Sequence, residues 1–246
     1  MRWGGTMGGV AVDCGDALGD GKEERTVASS ASGITEEIVR RFERLSANRD
    51  HALGEGRLLI RLAANSVRAT HRGELADAER LLGEARERME ALAADLAPFP
   101  ALYWAGYVQD AMKEVAEAAI TLAIVADRPL PTPETLRVED AAYLNAMAEA
   151  ASELRRQTLD RLRGGDLHRA ETLLAAMDDI YAALVTVDFP DAITGGLRRT
   201  TDALRAVLER TRGDVTVAVV QGRVERVIHD ALGDQPAGAA SSTAEP

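Results

Sequence analysis

The sequence predicts an all-α protein. Three observations carry that reading: Ala, Leu, Glu and Arg recur throughout, 46% of residues are hydrophobic while only 4% are aromatic, and no strand–helix alternation occurs anywhere. Chains of that composition pack as helices. With 246 residues, the chain is long enough to bury a substantial core in a single domain.

The elements follow in order. Residues 1–32 are rich in Gly, Ser and charge and read as a disordered leader, with Met7 as an alternative start. The helical domain is expected over residues 33–232. Thr35 before Glu36 and Glu37 reads as the cap of a long first helix that runs to about His71 and stops at "HRGE". A second helix runs through "LADAERLLGEARERMEALAADLA" to Pro98 and Pro100, and a third spans about Ala101 to Ala126, closed by "DRPLPTP". A fourth starts near Val138 and ends at "RGGD"; a fifth covers about Leu167 to Val187, stopped by "DFPDAITGG". A sixth covers about Gly196 to Thr211 and a seventh about Asp214 to Leu232. The seventh opens with "VTVAVV", strand-like in composition, but its length and context favour helix. The tail, residues 233–246, reads as disordered.

Composition also excludes functions. A net charge of −11 argues against a generically basic nucleic-acid binder. The single cysteine, Cys14, leaves no disulfide framework and no cysteine-based zinc site. No apolar run approaches the roughly 20 residues that span a bilayer, and the N-terminus lacks the pattern of a signal peptide. The expectation is a soluble, cytoplasmic protein without a membrane partner.

The chemistry concentrates in the third helix, "AMKEVAEAAITLAIVA", which is apolar around most of its circumference. Such a helix tends to be buried, and carboxylates on it need a polar cavity, an arginine or a metal. Tyr103, Tyr107, Asp110, Glu114, Glu117 and Thr121 fall on one stripe at helical spacing. Glu114 and Glu117, three residues apart, can share a hard cation that takes oxygen ligands. The plainer alternative is a salt bridge to Lys113. On the fourth helix Glu149, Glu153 and Arg156 share a face, with Asn145 a turn earlier. Glu149 and Glu153 repel unless Arg156 or a metal lies between them. The third and fourth helices are expected to pack antiparallel with their acids facing.

These segments resemble the translin/TRAX family. The resemblance runs from about Gly54 to Leu232 and is carried by "YVQDAMKEVAEA", "YLNAMAEAASELRRQTLDRLRGGD" and "LRRTTDALRAVLERTRGD", the last being the most specific. It implies a seven-helix subunit that assembles into a hollow, typically octameric, homo-oligomeric shell with an RNA-processing or RNA-binding interior. It further implies a TRAX-like subunit of the archaeal type, in which an E-x-x-E pair and an acid on the next helix hold Mg²⁺ (or Mn²⁺). Carried onto this chain, the catalytic and metal-holding residues are Glu114, Glu117 and Glu149, the last standing where the family pattern has Asp. Glu153 is assigned instead to Arg156 as its partner. The implied activity is metal-assisted endoribonucleolytic hydrolysis of single-stranded RNA.

Candidate RNA contacts are Arg57, Arg61, Arg68 and Arg72 on one face of the first helix, together with Arg156; arginines here would bind phosphate without reading sequence. Arg198, Arg199, Arg205, Arg210 and Arg212 fit either RNA or salt bridges between subunits. Tyr103, Trp104 and Tyr107 either stack on bases or pack in the core. The four histidines are scattered and offer no metal spacing. Rival readings are a non-catalytic translin-like oligomer binding RNA or single-stranded DNA, an all-α nucleotide pyrophosphohydrolase, and a helical scaffold. A ferritin-like di-iron bundle is excluded because no Glu-x-x-His motif is present.

Overall fold

The computed structural model of the chain describes residues 27–233; the disorder expected of residues 1–26 and 234–246 lies outside the described residues. The chain divides into two units, residues 1–44 and 45–246. In the first, the described residues form the opening of helix α1 (Val27–Arg72), which takes in Val27 to Ser32 from the segment read as leader. Thr35 is not a cap. The helix has already begun before it, so its hydroxyl donates to the Ala31 carbonyl at 2.9 Å.

The second unit holds the rest of α1 and α2 (Leu75–Leu96), α3 (Pro100–Tyr103), α4 (Gly106–Val125), α5 (Pro133–Leu136), α6 (Asp140–Arg163), α7 (Leu167–Leu184), α8 (Asp191–Thr194) and α9 (Leu197–Gly233). Among the described residues there is no strand, and the fold class is all-α as predicted. Two boundaries differ from expectation. The third expected helix is interrupted after Tyr103, so Tyr103 leaves the stripe that carries Glu114. The sixth and seventh expected helices run as one, α9. Its Gly213 sits mid-helix at a cost of about 1 kcal/mol. The loss is offset across the bundle, where Asp214 pairs with Arg155 at 2.8 Å and Arg155 also bonds the buried Thr211 at 3.0 Å.

Helix directions can be read from the contacts. α1 and α2 form an antiparallel hairpin, closed near its turn by Ser66 donating to the Ala78 carbonyl and near its far end by His51 against Asp95. α4 and α6 run parallel, which corrects the antiparallel expectation. Tyr103 meets Glu139, Lys113 meets Glu149, and both pairs are 36 residues apart. A constant offset is the mark of parallel neighbours. The chain returns between them through α5, where the prolines at 129, 131 and 133 suit an extended path. This return is pinned by Tyr143 to the Pro131 carbonyl and Arg86 to the Thr135 carbonyl. α9 is also parallel to α6, at offsets of 55 for Asn145–Thr200 and 56 for Arg155–Thr211.

The core follows the apolar faces. Met112, Val115 and Ile120 of α4 pack among Leu59, Met89, Leu92 and Leu96 of the hairpin, while alanines 116, 118, 119 and 146 permit close approach of helices. Leu154, Leu173, Met177 and Leu208 join α6, α7 and α9. α9 starts from a turn with Gly195 at φ +62° and Gly196 at φ +85°. The left-handed region is costly for residues with a Cβ. Gly196→Ala is therefore expected to lower thermal stability by about 1 kcal/mol, or roughly 2–4 °C in a melting curve for a chain of this size.

Candidate metal centre

Because α4 and α6 run side by side in the same direction, one face of each is presented to the other along its whole length. Glu114 and Glu117 project from α4 and Glu149 from α6, and ligand-capable atoms of all three lie within 4.8 Å of one another. The three residues named from sequence as metal ligands are thus brought together. They are neither sealed in the core nor on open surface: the side chains of Glu114 and Glu149 are 32% and 34% exposed. On the buried side stand Val115, Ala116 and Ala118, all fully buried.

The electrostatics are those of an under-compensated acidic cluster. Burial, reinforced by the charges of Glu114 and Glu149, pushes the Glu117 carboxyl up to about 8, with Lys113 pulling only partly the other way. Lys113 is the local counter-charge. It donates to Glu149 and lies 3.3 Å from Glu114, with its side chain 18% exposed. Burial disfavours its charge, but the hydrogen bond and charge of Glu149, joined by Glu114, outweigh that and hold the ammonium above the ordinary lysine value. The salt-bridge alternative is therefore met for Glu114 and Glu149, and not for Glu117, which has no ion pair among the described residues.

Contrary to the expectation from sequence, Glu153 does not pair with Arg156. It bonds His71 Nε2 at the end of α1, and Gln157 donates to His71 Nδ1 at 3.1 Å. The imidazole is thus held between Gln157 at Nδ1 and Glu153 at Nε2. His71 is nearly fully buried, at 2% side-chain exposure, and no metal spacing in the sequence singles it out. Glu153 adds to the negative field at Glu117. Only the i, i+4 relation of Glu149 and Glu153 hinted that Glu153 borders the cluster.

Asp110 stays exposed, and Tyr107 and Thr121 turn their hydroxyls into the interior. Arg57, Arg61, Arg68 and Arg72 are all exposed on α1. Arg68 bonds Asn65 at 2.7 Å and Arg72 bonds Glu74, whereas Arg57, Arg61 and Arg156 have no ion pair among the described residues. Arg212 is taken up by Asp178 of α7.

Three carboxylates whose ligand-capable oxygens lie within 4.8 Å of one another form a hard-oxygen donor set of the kind magnesium takes. The donor set, with Glu117 lacking an ion-pair partner among the described residues, fits a hard divalent cation.

No family model matches the sequence. The chain is 28% identical over 173 residues to an uncharacterised protein of Methanocaldococcus jannaschii, covering 70% of this chain and 76% of that one. Among solved structures it resembles AfC3PO in complex with duplex RNA, at 35% identity and a TM-score of 0.71 over 76% of this chain and 97% of that one. It is similarly close to AfC3PO alone, at 34% identity and the same TM-score and coverage. Apo-NeC3PO shares the fold, at 16% identity and a TM-score of 0.69 over 75% of this chain and 96% of that one. Among the described residues no helix is long and apolar enough to cross a membrane.

Proposed function

The chain belongs to the translin family, and we propose that it is a TRAX-like subunit: a cytoplasmic, homo-oligomeric endoribonuclease that cuts single-stranded RNA with a divalent cation held by Glu114, Glu117 and Glu149. The observation that carries the reading is the convergence of those three carboxylates from two parallel helices. RNA as the substrate is supported by the likeness to AfC3PO, which has been solved with duplex RNA.

Each residue has a role in this reading. Glu114, Glu117 and Glu149 hold Mg²⁺ or Mn²⁺; Glu149 reaches one methylene further than the aspartate of the family pattern. The cation, when bound, polarises the scissile phosphate, acidifies the attacking water and stabilises transition-state charge. His71, fixed by Gln157, holds the Glu153 carboxylate beside the cluster. Arg57 and Arg61, exposed and without ion pairs among the described residues, suit phosphate contacts; such contacts weaken steeply with salt. The test is cleavage of a labelled single-stranded RNA in Mg²⁺ or in EDTA. Cleavage that persists in the chelator defeats the proposal.

One observation favours a second reading, a non-catalytic oligomer that binds RNA or single-stranded DNA: Lys113 already bridges Glu114 and Glu149. Lys113→Gln separates the two. If the carboxylates exist to hold a cation, the variant loses about 1–3 kcal/mol of stability without metal and regains it in Mg²⁺, because a partly buried charge cluster has lost its counter-charge. Under the second reading Mg²⁺ restores nothing. Differential scanning calorimetry with and without Mg²⁺ reads the difference.

A further inference from the structure

We propose that the cleft leading from Lys113 and Glu149 to Trp104 and Arg199 seats an unpaired nucleotide of the RNA strand, next to the phosphodiester addressed by the carboxylates. The proposal rests on the ribonuclease reading and adds to it a defined subsite for one base and its phosphate.

The cleft has a volume of about 440 Å³ and is bounded by the starts of α4, α6 and α9 together with the α8 turn. That is within the roughly 300–1,000 Å³ of small-molecule sites and large enough for a nucleotide. Its inner end borders the carboxylate cluster: Glu149 belongs to both, and Lys113, which also lines the cleft, is paired with Glu114 and Glu149. Its outer end carries Trp104, which is 59% exposed. The indole is nonetheless positioned. Tyr103 packs against it edge-on, with ring centroids 5.2 Å apart at 90°, and the Tyr103 hydroxyl donates to Glu139 at 2.7 Å. A large aromatic held in place with more than half its surface open offers a platform for a flat ligand, and base–aromatic stacking is tolerant of sequence.

Arg199 stands on the first turn of α9, exposed and with no ion pair among the described residues. Its position is fixed from below. Asn145 of α6 donates to the Thr194 carbonyl at 2.8 Å and accepts from Thr200 at 2.7 Å, tying the α8–α9 turn to α6. Lys113 and Arg199 are thus the two cations of the cleft, one at the carboxylates and one at its wall. Asp110, Glu139 and Glu149 line the same walls and limit what phosphate attraction alone can contribute. Stacking on Trp104 must then carry much of the affinity. An indole reaches the face of a base only where that base is unstacked, so the subsite selects single strands over duplex.

The test uses the full chain with Trp3→Phe, which leaves Trp104 as the sole tryptophan. A labelled short oligouridylate is titrated in EDTA, so that metal-dependent cleavage is suppressed, with Trp104 emission and label anisotropy followed together. The expected result is quenching that tracks anisotropy. Trp104→Ala and Arg199→Ala, the first in a wild-type background, each weaken binding by about 5- to 50-fold, and Trp104→Phe stays within about 3-fold. Duplex RNA of equal length leaves the emission unchanged. The proposal is overturned if RNA binds without quenching, if Trp104→Ala binds as tightly as the parent, or if duplex quenches as strongly as single strand. Those results leave metal-dependent cleavage untouched as a separate readout. Conversely, chelator-resistant cleavage with quenching intact removes the ribonuclease reading and keeps the cleft as a strand-binding site.

Discussion

Glu117→Ala is expected to reduce Mg²⁺-dependent RNA cleavage by at least about 100-fold, since even the outer partners of metal ligands are worth about 10- to 100-fold. Glu117 is the carboxylate of the three without an ion pair among the described residues, and burial is the largest influence on it. Glu114→Ala is expected to follow it closely. Glu149→Asp should retain activity, because it restores the residue of the family pattern at the same position. Arg57→Ala is the contrasting control: as an exposed phosphate contact it should weaken binding a few-fold and make it less salt-dependent, with the cleavage step unchanged. Melting curves on each variant separate lost chemistry from lost fold. Equal activity in Glu117→Ala and wild type would leave the carboxylates without a catalytic role.

The second large effect is on stability. In metal-free protein the melting temperature is expected to fall as pH rises from about 5 to about 8. The direction follows from Glu117. Its carboxyl titrates near 8 in the folded protein, against 4.5 as the ordinary value. Between those limits the folded state holds a proton that the unfolded state has released. Each step up in pH therefore favours unfolding, and the penalty is complete above about 8. The expected loss is about 1–3 kcal/mol, or roughly 2–10 °C for a chain of this size. Glu117→Gln removes the titrating group and should flatten the slope. Mg²⁺ should restore stability chiefly at the alkaline end, where the carboxylate is charged and binding does not have to displace a proton. A melting temperature independent of pH in EDTA would contradict this picture of the cluster.

The Glu114–Glu117 pair was legible because both residues lie on one helix, where a spacing of three fixes their relation. Glu149 was legible through its place in a longer matching segment. Helix direction was not: periodicity says which face is buried, but α4 and α6 are parallel because an extended proline-rich return carries the chain back between them. The break expected between Thr211 and Asp214 is absent, since Arg155 ties both residues to α6 from across the bundle. Likewise helical spacing points Glu153 to Arg156, one turn along, whereas its partner is His71, 82 residues away. Pairings of that kind are set by tertiary packing, which local spacing does not encode.

Three carboxylates converging from parallel helices are the proposed cation site. The most direct measurement is equilibrium Mn²⁺ binding to the RNA-free protein, followed by electron paramagnetic resonance at pH above about 8, where Glu117 is ionised. A single class of site per chain, lost in Glu117→Gln and filled competitively by Mg²⁺, is the predicted result. Mn²⁺ that stays free in solution, or binds the variant as it binds the wild type, would contradict it.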